Sequence, residues 1–322
     1  MTKVLVSRRW PDAVEKQLKE DYDVTLNPED KPMDVAAFRA ALMEYDAVCP
    51  TVTDKMGADV FDGLENPRCK ILGNFGVGYT HIDVDAATAA GMTITNTPDV
   101  LSDCTADIAL TLMLMASRRA GEGERELRAG NWTGWRPTHL VGTKMTGKTL
   151  GIIGYGRIGQ ETAKRAHHGF GMKIMVQNRS KVKPEILAET NATQVDSVAD
   201  LLPQVDYLSL HCPGGDANRD LISADELEKM KNSAILINTA RGEVVNDEAL
   251  IAALNRGQIA AAGLDVFDGE PNLHKGYMGC ENAVLLPHLG SATAETREGM
   301  GFRVLDNLKA FFNDQVPPDK VN

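Results

Sequence analysis

TLGIIGYGRIGQ, residues 149–160, decides the fold. Its first five residues form an apolar, partly β-branched run that reads as a buried strand. Three glycines follow at Gly154, Gly156 and Gly159. Gly154 allows a tight turn, Gly156 lets backbone N–H groups approach a diphosphate, and Gly159 lets the next helix pack on the strand. Arg157 and Ile158 open that helix, QETAKRAHHGF carries it on, and its N-terminal partial positive charge faces the same anion. A second strand, KIMVQN from Lys173, supplies the βαβ context that a chance GxGxxG lacks. A βα turn without a ligand would use the same glycines, but the full strand, turn, helix and strand point to a dinucleotide.

The alternation extends in both directions. Upstream, KVLVS, YDVTL, DAVCPT, KILGNF and MTITNT read as strands, with PDAVEKQLKE, MDVAAFRAALME, GADVFDGLE and DVDAATAAG as the helices between them. Downstream, YLSLHC, SAILINT, AAGLDVF and AVLLPHLG continue the pattern, and residues 294–312 close it as a helix. Strand–helix alternation implies parallel sheets, so the fold expected is α/β: a Rossmann-type doubly wound domain plus a flavodoxin-like one. Between them lies SDCTADIALTLMLMASRRA, residues 102–120, an apolar helix with a Ser/Asp start and Arg118 and Arg119 at its negative end. Residues 121–148 lose periodicity after their first turns and read as an extended arm carrying Trp132 and Trp135.

Composition narrows the function. The 322 residues hold 34 Lys and Arg against 45 Asp and Glu, a net charge of −11. That balance argues against nucleic acid, whose phosphates need a basic face. No apolar run reaches membrane-spanning length, and the N-terminus does not read as a signal peptide. Five scattered cysteines without CxxC spacing suit a reduced, cytoplasmic protein with neither disulfides nor a metal site.

Twenty-four residues past Gly154 the second strand ends in Gln177-Asn178-Arg179-Ser180, where an NAD-type fold places a carboxylate for the ribose hydroxyl. With no carboxylate, and with Arg179 and Ser180 able to meet a 2′-phosphate, NADP(H) is preferred and NAD(H) remains possible. A solvated Arg179 stacking on adenine is the alternative. Three polar residues sit at strand ends: Arg241 in ILINTARGE, Glu270 in GLDVFDGEP and His288 in VLLPHLGSAT. Singly they read as a surface turn, a solvated charge and a core histidine. After a dinucleotide loop they suit hydride transfer to a 2-keto acid, with Arg241 binding the carboxylate, His288 supplying the proton and Glu270 holding His288. Asp265 is a candidate for the nicotinamide carboxamide, with a turn role equally open.

GVGYTHIDVDAA, TLGIIGYGRIGQ, LINTARGEVVNDEALIAAL, AGLDVFDGEP and LLPHLGSAT, in this order, resemble the D-isomer-specific 2-hydroxyacid dehydrogenases across essentially the whole chain. The resemblance implies an Arg241–Glu270–His288 catalytic set and a D-2-hydroxy acid product. It implies a substrate domain of residues 1–100 plus 290–322 around a coenzyme domain of residues 101–289. It also implies a carboxylate-binding loop at residues 74–79, using the N–H groups of Val77 and Gly78. Along the coenzyme the reading adds Cys212 in a packing role, Thr239 and Ala240 before Arg241, and Gly290 after His288. A homodimer through the arm is implied, with an arm tryptophan reaching the partner.

The arm, RRAGEGERELRAGNWTGWRP, is most similar to the glycerate dehydrogenase and glyoxylate/hydroxypyruvate reductase branch. Formate dehydrogenases of this superfamily have Gln where Glu270 stands, and phosphite dehydrogenases have Lys where Val77 stands. A regulatory extension, as in phosphoglycerate dehydrogenases, is not expected after the closing helix. The partner expected is therefore a small 2-keto or 2-hydroxy acid, with pocket size dependent on Leu101, Thr51, Trp135 and Tyr277. A dehydrogenase of other substrate range remains open. So does a non-catalytic dinucleotide-sensing scaffold, resembling the corepressors related to this family.

Overall fold

Short β-branched runs pair as parallel strands in a computed structural model that describes residues 1–322. Five of them, β1 (Lys3–Val6), β2 (Asp23–Thr25), β3 (Ala47–Cys49), β4 (Ile71–Gly73) and β5 (Thr93–Thr95), lie in the order β2-β1-β3-β4-β5. That is the flavodoxin-like winding. Seven more, β6 (Thr149–Ile153), β7 (Lys173–Gln177), β8 (Thr193–Val195), β9 (Tyr207–Leu210), β10 (Ile235–Asn238), β11 (Ala261–Leu264) and β12 (Ala283–Leu285), form the order β12-β11-β10-β9-β6-β7-β8. This is Rossmann winding with one added edge strand, and every ladder in both sheets is parallel.

The first sheet belongs to a unit made of Met1–Leu101 and Ser291–Asn322, the second to Ser102–Gly290. In the first unit the helix Ala294–Phe312 starts on Thr293, whose hydroxyl accepts the Thr296 N–H, and it packs on β4. The chain then returns to the sheet. Val321 donates its N–H to Ile94 at 2.8 Å, and Arg303 clamps Asp319 with two bonds of 2.6 and 2.7 Å. The tail therefore covers the open edge of β5, which unpaired would be a template for aggregation.

In the second unit the apolar helix Ser102–Arg118 lies over β10 and β11. Its approach depends on Gly263, where a Cβ would lie 2.8 Å from that of Leu112. Arg165 ties this helix to the one after the glycine loop, reaching Asp103 at 2.7 Å and Asp107 at 2.6 Å. No helix is long and apolar enough to cross a membrane, and all five cysteines are free thiols.

Two local expectations need correction, and one strand went unread. Residues 102–120 are not one helix: Arg119 takes a left-handed φ of 52°, and a second helix, Ala120–Arg128, begins there. The extended arm is thus shorter than residues 121–148, because its first turns are helical and only the residues after Arg128 lack regular structure. Strand β8 has no apolar signature, since an edge strand exposed on one side needs none.

Leu112 is fully buried between helix and sheet. Leu112→Ala should lower the unfolding free energy of the second unit by about 2–5 kcal/mol in urea melts. A loss below about 0.5 kcal/mol would contradict this packing.

Candidate active site

The glycine turn follows β6 where the winding reverses, β6 leading to β7 on one side and its neighbour β9 leading to β10 on the other. Gly154 has φ +90°, and a Cβ there would lie 2.6 Å from the Cys212 nitrogen. A Cβ on Gly159 would lie 2.4 Å from the Gly154 carbonyl, so the helix Arg157–Lys164 rides directly on the turn. A Cβ on Gly156 would meet nothing within 4 Å. The space before the helix N-terminus is therefore open, as an approaching diphosphate requires. Burial pushes the half-buried Cys212 thiol up to about 11, which suits packing rather than chemistry.

At the end of β7, Asn178 accepts the Tyr155 N–H at 3.1 Å and donates to the Ser180 carbonyl at 3.0 Å and hydroxyl at 3.2 Å. Asn178 and Ser180 thus brace each other and the glycine turn. Arg179 between them is exposed and makes no hydrogen bond or ion pair.

The polar trio stands at the carboxyl ends of the neighbouring strands. Arg241 follows β10, and its Nη1 donates to the Ala240 carbonyl at 2.6 Å. Burial pulls its pKa down, while the carboxylates of Glu243 and Glu270 oppose that shift. Gly242 is obligatory: a Cβ there would fall 1.9 Å from the Phe267 carbonyl carbon, so the Arg241 turn presses on the loop carrying Glu270. Glu270 accepts the Phe267 N–H on Oε1 at 2.9 Å and meets His288 Nδ1 with Oε2 at 2.8 Å. Burial alone would raise the Glu270 carboxyl. The His288 hydrogen bond and charge, the Phe267 N–H and Arg241 outweigh burial and hold it below its ordinary value.

An ionised Glu270 can only accept, so Nδ1 carries the proton between them and Nε2 is the free nitrogen of His288. His288 itself is left-handed, with φ 55°, a conformation uncommon outside glycine. Three N–H bonds impose it. His288 donates to the Asp265 carbonyl at 3.0 Å, and Leu289 and Gly290 donate to the Asp265 carboxylate at 2.7 Å each. Burial raises the Asp265 carboxyl against the pull of the Leu289 N–H. Asp265, 1% exposed, is thus first the anchor of this turn. Thr239, 8% exposed, has a buried hydroxyl with no partner.

In the first unit, residues 74–79 form a loop with its carbonyls drawn inward. Asn74 Nδ2 donates to the Gly76 and Gly78 carbonyls at 3.0 Å each, and Asn96 Nδ2 to the Val77 carbonyl at 2.8 Å. The Val77 and Gly78 N–H groups donate to no acceptor of their own unit.

Tyr277 turns into the core. It is 2% exposed, packs edge-on against Phe267 and donates to Asp247 at 2.6 Å. Leu101 is buried, whereas Trp132 and Trp135 are exposed, Trp135 at 82%. Sequence reasoning missed Asn238 and Gly242. The signal for Asn238 is its place before a turn, where Asn bonds the backbone two residues on.

The family described as D-isomer specific 2-hydroxyacid dehydrogenase, NAD binding domain, matches residues 110–290. A glyoxylate reductase from Thermococcus litoralis is 44% identical over 325 residues, 99% of this chain and 96% of the relative. A glycerate dehydrogenase from Hyphomicrobium methylovorum is 38% identical over 311 residues, 96% of each. The crystal structure of an NADPH-dependent glyoxylate/hydroxypyruvate reductase from Sinorhizobium meliloti, in complex with NADP and malonate, superimposes with TM-score 0.88. It is 33% identical and covers 99% of this chain and 96% of that one.

A carboxyl held low by folding contributes stability above its unfolded value and loses it as pH falls through the lower folded value. Glu270→Gln should therefore lower Tm near pH 7, and the difference from the parent should shrink below the ordinary value of 4.5. A difference in Tm that stays constant down to about pH 3 would contradict the depressed value.

Proposed function

We propose that this chain, which belongs to the D-isomer-specific 2-hydroxyacid dehydrogenase family, reduces small 2-keto acids such as glyoxylate and hydroxypyruvate to D-2-hydroxy acids, with NADP(H) favoured over NAD(H). The observation that carries it is the His288–Glu270 pair at 2.8 Å in one sheet end with Arg241 and the glycine turn. The names of the relatives support the substrate class.

The residues suit a nicotinamide dinucleotide: open space at Gly156, an orphaned Thr239 hydroxyl and an unpaired Arg179. Gly154, Gly156, Arg157, Ile158 and Gly159 would hold the diphosphate, and Asn178, Arg179 and Ser180 the adenosine ribose. Cys212, Thr239, Ala240 and Gly290 would line the remainder. Asp265 would use a remaining lone pair for the carboxamide. When bound, that coenzyme supplies the hydride.

The chain supplies the rest. Arg241 pairs with the substrate carboxylate and polarises the keto oxygen. His288 donates its Nε2 proton to that oxygen as negative charge develops there, and Glu270 balances the imidazolium and keeps the ring aimed. In the reverse direction the same nitrogen takes the proton back.

Arg179 has no carboxylate beside it in Gln177-Asn178-Arg179-Ser180, and Lys181 and Lys183 follow it, both exposed. This cationic loop supports a 2′-phosphate ligand. The exposed Trp132 and Trp135 support a homodimer through the arm, and five free thiols support a reducing, cytoplasmic setting.

His288→Asn should lower kcat for glyoxylate by about a hundredfold or more while NADPH affinity stays within about twofold. An unchanged kcat would remove the proton-donor role. Arg179→Ala should cut the NADPH-to-NADH ratio of kcat/KM by about tenfold or more. A parent enzyme that uses NADH as well as NADPH would end the NADP(H) preference.

A further inference from the structure

The turn carrying Arg241 leaves β10 at Asn238, whose side chain is 1% exposed and makes two bonds to that turn. Oδ1 accepts the Ala240 N–H at 3.0 Å, and Nδ2 donates to the Arg241 carbonyl at 2.9 Å. These two groups flank the peptide joining Ala240 to Arg241. The carbonyl of that same peptide accepts Arg241 Nη1 at 2.6 Å. Any rotation of the peptide therefore moves the guanidinium with it. Gly242, packed on the Phe267 backbone, stops the turn from sliding the other way.

Asn238 also reaches the His288 side of the site. Its carbonyl accepts the Asp265 N–H at 2.9 Å, and Asp265 in turn holds the His288 turn. We propose that Asn238 is a positioning residue for substrate recognition. Its amide clips both flanks of the 240–241 peptide and so sets the aim of Arg241 relative to His288. The inference rests on the reading of Arg241 as the keto-acid anchor. Asn carries its acceptor and its donor on two separate atoms, one toward each flank, whereas a Ser hydroxyl has a single shorter-reaching oxygen for both. Ser reproduces only the bond to Ala240, as a turn hydroxyl does.

The test uses oxamate, a carboxylate-bearing mimic of a 2-keto acid, titrated into the full-length protein loaded with NADPH and followed by intrinsic fluorescence. Asn238→Ala should weaken oxamate binding at least about tenfold, with NADPH affinity within about twofold. Asn238→Ser should fall between the two, and it carries the same comparison where the alanine variant does not fold. In an Arg241→Gln background, Asn238→Ala should change oxamate affinity less than about twofold, because the group it aims is gone. Unchanged oxamate affinity overturns the inference. So does a parallel loss of NADPH affinity, or full additivity with Arg241→Gln. A parent protein that binds no oxamate overturns the keto-acid reading itself, and the inference with it.

Discussion

The Asp265 carboxylate accepts the Leu289 and Gly290 N–H groups at 2.7 Å each, and those bonds determine where His288 stands. A carboxylate 1% exposed is costly to bury unless its oxygens are met by donors, and here two backbone donors from one turn meet it. The same bonds hold His288 in a left-handed backbone that its own chemistry disfavours. Thr105 secures the turn from the other side, donating to the Gly290 carbonyl at 3.0 Å. The strained residue is thus over-determined by bonds from its own turn.

Around this anchor the polar groups are arranged so that charge is met locally. The chain carries a net charge of −11, which would repel an anionic keto acid or dinucleotide at long range. Within the site cationic groups stand among the carboxylates: Arg241 is largely enclosed beside Glu243 and Glu270, and Arg179 is unpaired. Low-dielectric surroundings strengthen such local donors relative to distant surface charge, which salt screens. Overall charge and site charge are therefore independent properties of this protein.

Much of the site is legible in the amino-acid sequence. Gly154, Gly156 and Gly159 are readable because each meets a backbone demand set by its neighbours in sequence. Arg241, Glu270 and His288 are readable because polar residues ending apolar strands have few structural reasons to be there. Other features are hidden. Thr193–Val195 is a strand only because β7 lies beside it, and Arg119 breaks a helix that its charge would suit at the C-terminal end. The bond from the Tyr277 hydroxyl to Asp247, thirty positions away, is likewise invisible in the sequence. That Asp265 also anchors a turn shows only once Leu289 and Gly290 are seen to donate to it.

By itself the sequence determined the α/β class, the dinucleotide turn and the candidates for the groups that carry chemistry. Periodicity and glycine spacing are local, so a short window suffices for them. Tertiary structure alone decided which of those groups meet. The parallel ladder β10–β11–β12 sets Asn238 beside Leu264 and Leu264 beside Leu285, and so brings three turns distant in sequence to one sheet end. Whether Glu270 touches His288, and what Asn238 and Asp265 hold in place, follows from that register. Register depends on packing between remote segments, which no local pattern encodes.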